Sequence, residues 1–431
     1  MTTEPEARVQ GTTEYRRAVE ALRSGVPNRD AVRVLGCGQA EVERRFLQQL
    51  DALRPSVERG EPVQGLLVSG DFGTGKSHVL EYLQDLALSR GFVCSRVVIS
   101  KETPLYDLGK LFKAAVDTAE VPDRFGPAVS EIALKIRPDS PSYVDFYRWS
   151  HADDSGLSTL FPATLLLYER LKSDPELTER ITNFWSGEPM PIARVRDGLR
   201  QIGELSTYPV KAVRLAQLAW ERFTFVSRLI LGAGYSGWVL LIDEVELVGR
   251  YSILQRGKSY AELARLMGKI EDDAFVGITT VATITTDFDI AVLQQKGDRD
   301  SVGPKLRSKG MDEWAVLAAR AESGMRMIER DDLKLVPPDE AELRITYDQL
   351  RNVHGQAYGW LPPDVWANEY GTPRRMRSHV RRWIAEWDLR RLYPGSRVDL
   401  EEEELHVEYG EDTTLERPPE EPNRGDVELA E

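Results

Sequence analysis

A strand, a glycine-rich turn and a helix are dictated together by Gly70-Asp71-Phe72-Gly73-Thr74-Gly75-Lys76-Ser77, which matches the G-x-x-x-x-G-K-[ST] phosphate-binding pattern at every position. The apolar run Leu66, Leu67, Val68 precedes it and a helix-like segment, 78–89, follows, so both flanks that the pattern requires are present. Three glycines let backbone N–H groups turn inward around an anion, and the helix points its positive end at the same place. Lys76 is then expected to reach the β- and γ-phosphates and Ser77 to hold Mg²⁺, with Gly70, Gly73, Thr74, Gly75 and His78 forming the rest of the cradle.

A second stretch supports a nucleotide site. Trp238-Val239-Leu240-Leu241-Ile242-Asp243-Glu244 is a continuous apolar run ending in two carboxylates, as expected of a buried central strand whose carboxyl end faces a ligand. Asp243 can hold Mg²⁺ directly or through water, and Glu244 can polarise the water that attacks the γ-phosphate.

Between these stretches, 92–100 reads as a strand and 105–119 as an amphipathic helix, giving a β-α-β-α beginning and hence a parallel sheet with helices on its faces. From 121 to 209 the strand signal disappears. Proline-punctuated helical pieces, 162–172 and 191–205, accompany the aromatics Tyr143, Phe146, Tyr147 and Trp149, which are expected to form their own core because basic residues do not interleave with them densely. A helix over 211–231 leads into the carboxylate strand. Another helix, 260–270, and a β-branched strand, 274–285, follow; the latter ends in Thr283-Ile284-Thr285-Thr286-Asp287 and places hydroxyls at the sheet edge. After a short strand at 333–336, helices are expected from 339 to 391, interrupted at Gly371-Thr372-Pro373-Arg374-Arg375. Before the phosphate loop, Val34 and Leu35 precede a turn, 36–39, from which they could lie on a nucleobase or pack into the core.

The expected organisation is a lead-in at 1–30, an ATPase core at 31–120 and 210–337, a helical insertion at 121–209, a helical lid at 338–394 and an acidic tail at 395–431. The net charge of −14 resides mainly in that tail, where residues 399–431 carry 14 acidic side chains against Arg417 and Arg424, a composition that favours disorder. Two cysteines supply neither a disulfide framework nor a zinc spacing, and no apolar run is long enough to span a bilayer, so a cytoplasmic protein with no membrane partner is expected.

The phosphate loop, Asp243-Glu244, the threonine-rich strand end and the Gly-Thr-Pro-Arg turn before a C-terminal helix together resemble the AAA+ ATPases. The resemblance implies an α/β P-loop NTPase fold with a parallel sheet core, a helical insertion before the Walker B strand and a C-terminal lid. It assigns Lys76 and Ser77 to Walker A, Asp243 and Glu244 to Walker B, Thr285 or Thr286 to sensor 1 and Arg374 to sensor 2. Arg307 is the choice for an arginine finger, with Arg320 and Arg330 as competitors. More narrowly, residues 28–392 resemble the BrxD-like ATP-binding proteins of bacteriophage-exclusion (BREX) systems. That likeness rests on 28–43, Gly73-Thr74-Gly75-Lys76-Ser77-His78, Asp243-Glu244-Val245-Glu246 with Gly249-Arg250-Tyr251-Ser252, 256–261, 335–338 and Tyr358-Gly359-Trp360. It implies ATP in preference to GTP, and partners that are other copies of the chain or other defence-system proteins.

The leading functional expectation is an ATP-hydrolysing switch or motor, because both Lys76 and the water-positioning Glu244 are retained. A nucleotide-dependent scaffold that binds ATP with little turnover is the alternative. Seven arginines between 374 and 391 also permit salt-sensitive, non-specific DNA contact, although a lid helix in which Arg374 faces nucleotide and the others form surface pairs is the preferred reading.

Overall fold

The computed structural model describes residues 4–270, 275–366, 375–394 and 410. Five strands, β1 (Leu66–Ser69), β2 (Val93–Val98), β3 (Trp238–Asp243), β4 (Ile278–Ile284) and β5 (Leu333–Lys334), form a parallel sheet in the order β2-β3-β4-β1-β5. The strands read as unbroken apolar runs because both faces of the sheet are covered. Leu66, Val68, Val239 and Leu241 pack on one side with the helices Ala40–Arg59 and Lys76–Ser89. Leu67, Leu240, Ile242 and Ala282 point to the other side, into a larger core.

That larger core is built with the helices between β2 and β3. Their starts carry local signals: Ser140 and Asp174 accept hydrogen bonds from the backbone N–H of Tyr143 and Leu177, and each is followed by a proline at the first helical position. Tyr143 and Phe146, on the helix Pro141–Ser150, are buried there, and the Phe146 ring lies 5.4 Å from that of Phe225 on the helix Leu215–Gly232. These aromatics are therefore core.

A third apolar cluster joins the N-terminal helix Glu4–Ser24 to the C-terminal helices Glu340–Tyr358 and Met376–Leu392. Arg23 pairs with Asp388 at 2.7 Å, and Arg16 Nε donates to the carbonyl of Ala357 at 2.7 Å, so the first helix is tied to elements more than 300 residues later.

β4 is shorter than the expected 274–285 strand; Gly277 takes φ 87°, outside the range of a strand, and residue 274 lies outside the described residues. The expected tail lies outside them apart from Gly410, and so does the turn 371–374 with Arg374.

Candidate functional site

The carboxyl ends of β1, β4 and β3 lie side by side, with the phosphate loop following β1. This is the sheet edge where open α/β folds bind ligands. Gly73 and Gly75 take φ values of 77° and 107°, conformations closed to most side chains. A Cβ at Gly70 would stand 2.6 Å from Thr74 Oγ1. Thr74 Oγ1 donates to the Asp71 carbonyl at 2.7 Å, which holds the turn closed. Lys76 starts the helix and is buried, its Nζ donating to the Gly70 carbonyl at 2.7 Å and lying 5.1 Å from the Phe72 ring centre.

Asp243, the last residue of β3, is the hub of the site. Its Oδ2 accepts from Ser77 Oγ at 3.0 Å and from Arg96 Nη2 at 3.1 Å; its Oδ1 accepts from Thr283 Oγ1 at 2.6 Å and from the Glu244 backbone N–H at 3.1 Å. Arg96 reaches in from β2 and also pairs with Glu81 at 3.0 Å. A carboxylate so fully supplied with donors acts on a cation most readily through water. Among the described residues no three His, Cys, Asp or Glu side chains gather as a metal site, so Mg²⁺ bound beside Ser77 and Asp243 would complete its shell with phosphate oxygens and waters.

Glu244 follows at φ 61°, ψ 39°, a left-handed conformation that a glutamate adopts at a cost of about 1–2 kcal/mol. The bend presents an exposed carboxyl, raised above its usual value by the protein that crowds it and by the charge of Asp243. Two residues on, Glu246 is buried. Burial lifts its carboxyl to about 7 against the pull of Lys76, whose Nζ stands 3.6 Å away.

Beside the loop opens a cleft of about 110 Å³ lined by Leu35, the turn 36–39, Gly73 to Gly75, His78 and Val79 on one side. Glu342, Thr346, Met376, Arg377 and Val380 of the C-terminal helices, with Leu22 and Gly25, line the other. His78 Nε2 donates to the Gly36 carbonyl at 2.6 Å, and burial holds its imidazole below the usual value, hence neutral. This contact joins the phosphate-loop helix to the turn that floors the cleft. Of the two residues expected near a base, Leu35 lines the cleft, while Val34 packs with the third cluster. Arg375, N-cap of the helix Met376–Leu392, lays its stem over the loop, with Cδ 3.0 Å from where a Cβ on Gly73 would be.

The remaining candidates are distributed unevenly. Thr286 Oγ1 donates to the carboxylate of Asp71, inside the phosphate loop, and Thr285 is buried. The β4 hydroxyl that touches the carboxylate hub belongs to Thr283, level with Asp243 in the register that pairs Ile242 with Ala282. Arg307 ends the helix Asp298–Arg307 in a 2.7 Å ion pair with Glu322. Arg320 and Arg330 both lie on the helix Asp312–Arg330. Sequence reasoning did not single out Arg96, Thr283 or Arg375 as site residues. An arginine inside an apolar strand is the one signal of the three that could have been read.

No curated protein matches the chain. The family model described as BREX system ATP-binding protein BrxC/D matches residues 12–132 and 216–360, stretches that contain the phosphate loop, Asp243, Glu244, Glu246 and the cleft residues as far as Thr346. With a parallel P-loop sheet behind that match, the chain belongs to the BREX system ATP-binding protein BrxC/D family.

Proposed function

We propose that the chain is an ATP-hydrolysing switch or motor of the AAA+ type which, as a component of a BREX antiphage system, acts on partner proteins or DNA. The observation that carries this reading is the convergence of Ser77, Thr283 and Arg96 on Asp243, with Lys76 buried at the start of the loop helix and the bend at Glu244, all at one sheet edge. Lys76 exchanges the Gly70 carbonyl for phosphate oxygens. Ser77 and Asp243 hold Mg²⁺, which when bound neutralises triphosphate charge. Glu244, uncommitted to any ion pair with the loop and bent toward solvent, orients the attacking water. Thr286, through Asp71, ties the end of β4 to the loop and suits a sensor of its state.

The purine lies against Leu35 and the turn 36–39, and the C-terminal helices form a lid with Arg375 at its phosphate end. Arg307 serves a neighbouring copy as arginine finger only if it leaves Glu322 on assembly. Among the described residues no helix is long and apolar enough to cross a membrane.

The test is ATP hydrolysis by wild type and Glu244→Gln, with and without DNA, alongside a mass determination in ATP. Turnover that depends on Glu244 and accompanies an ATP-induced oligomer supports the switch or motor. Tight ATP binding by a monomer with no Glu244-dependent turnover rejects it in favour of a nucleotide-dependent scaffold.

A further inference from the structure

Glu246 is a charged side chain for which the hydrolysis scheme has no use. It is 2% exposed, and neither Oε1 nor Oε2 has a hydrogen-bond partner. A buried carboxylate left in that condition is strongly disfavoured unless a counter-charge stands close. The counter-charge is Lys76 Nζ, at 3.6 Å from Oε1, itself buried and hydrogen-bonded to Gly70. Its other charged neighbours, Asp243 and Glu244 at the end of β3, are negative and make matters worse.

Lys76 cannot satisfy Glu246 and a polyphosphate at once. To reach β- and γ-phosphate oxygens it must give up the Gly70 carbonyl and turn to the open side of the loop. We propose that Glu246 is a positioning residue that latches Lys76 against the Gly70 carbonyl, so that a nucleoside di- or triphosphate binds only by breaking the Lys76–Glu246 pair. The proposal rests on the loop being a nucleotide site. It makes Glu246 a brake on affinity, and it gives the bound state a reason to propagate. Once Lys76 leaves, the uncompensated carboxylate destabilises the 3₁₀ segment Val245–Arg250, which leads to Tyr251, anchored through its hydroxyl to the Ser100 carbonyl at 3.0 Å.

The experiment compares wild type and Glu246→Gln, which keeps shape and removes charge, by calorimetric titration with AMP, ADP and ATP at pH 8, where the carboxyl is charged. The latch predicts that the variant binds ADP and ATP about tenfold tighter, with AMP affinity unchanged because Lys76 does not reach the α-phosphate. Thermal unfolding without nucleotide gives a second, independent reading. Lys76→Met strands a buried charge and lowers the midpoint, and adding Glu246→Gln to it restores most of the loss. ADP and ATP affinity in Glu246→Gln equal to or below wild type overturns the latch, as does a double variant no more stable than Lys76→Met. If wild type binds neither ADP nor ATP, the nucleotide-site reading fails, and the unfolding comparison alone decides whether the pair exists.

Discussion

The pair Arg256–Asp298 offers a quantitative check on how the chain just beyond the Val245–Arg250 segment is held. Arg256, on the helix Ile253–Leu266, and Asp298, at the start of the helix Asp298–Arg307, are 3% and 0% exposed. The guanidinium donates Nε and Nη2 to the two carboxylate oxygens, both at 2.7 Å, and Nη1 to the Tyr251 carbonyl at 2.5 Å. Tyr260 OH donates to Asp298 Oδ2 at 2.6 Å. Asp298→Ala would remove the carboxylate to which the buried guanidinium donates Nε and Nη2 and the Tyr260 hydroxyl donates its proton. Removing one partner of such a pair costs about 3–5 kcal/mol, whereas replacing both with apolar groups of similar volume is often close to neutral. The assay is urea denaturation of Asp298→Ala, Arg256→Met and the double variant Arg256→Met with Asp298→Leu. Each single change is expected to lower stability by about 3–5 kcal/mol, and the double change by less than either. Costs of the single changes that simply add in the double variant would refute the argument that the penalty is a stranded charge.

Other consequences are more local. Glu244→Gln should lower ATP turnover at least about a hundredfold while leaving ATP affinity within a few-fold, measured by single-turnover kinetics and titration; turnover unaffected by the change would move the general base elsewhere. Arg375→Ala removes the side chain lying over Gly73 and should weaken ATP binding by about tenfold, whereas Arg382→Ala, on the same helix, should not. Because the folded state holds the His78 imidazole below its usual value, the unfolded chain takes up that proton first as pH falls. The contribution is intact above about pH 6.5 and lost as pH drops through the folded value, so the denaturation midpoint of His78→Gln should fall less than that of wild type between pH 7.5 and 5.5. Gly324→Ala would place a Cβ 2.1 Å from the Tyr260 carbonyl oxygen, where the helices Ile253–Leu266 and Asp312–Arg330 cross. Its expected cost is about 1–3 kcal/mol by urea denaturation, with Gly36→Ala, which meets nothing within 4 Å among the described residues but takes φ 67°, as a comparison that adds backbone strain without a clash.

What could be read from the chain beforehand divides according to the range of the forces involved. The phosphate loop and the β3 run are written in adjacent residues, because a tight glycine turn and a strand buried on both faces each impose their own residue types within eight positions. The hub around Asp243 is different. Thr283 was one of three threonines at a strand end, and only the parallel register that sets Ile242 against Ala282 brings it level with the carboxylate and leaves Thr286 to reach Asp71. Glu246 looked like one more acid after a carboxylate pair, until the left-handed turn at Glu244 and the 3₁₀ segment buried it against Lys76. The cleft lies furthest from local reading. Its far wall comes from residues about 300 positions beyond the turn at 36–39, and its corner from an N-terminal helix whose weak apolar stripe gave no hint of a partner. That helix is drawn into the site because Arg23 meets Asp388 and its apolar face meets Tyr347 and Trp387. The same distant packing decides that Leu35, and not its neighbour Val34, lines the cleft. The phosphate loop is thus encoded locally, whereas the cleft beside it depends on long-range contacts, so changes at Arg23 or Asp388 should act on nucleotide affinity without touching the loop.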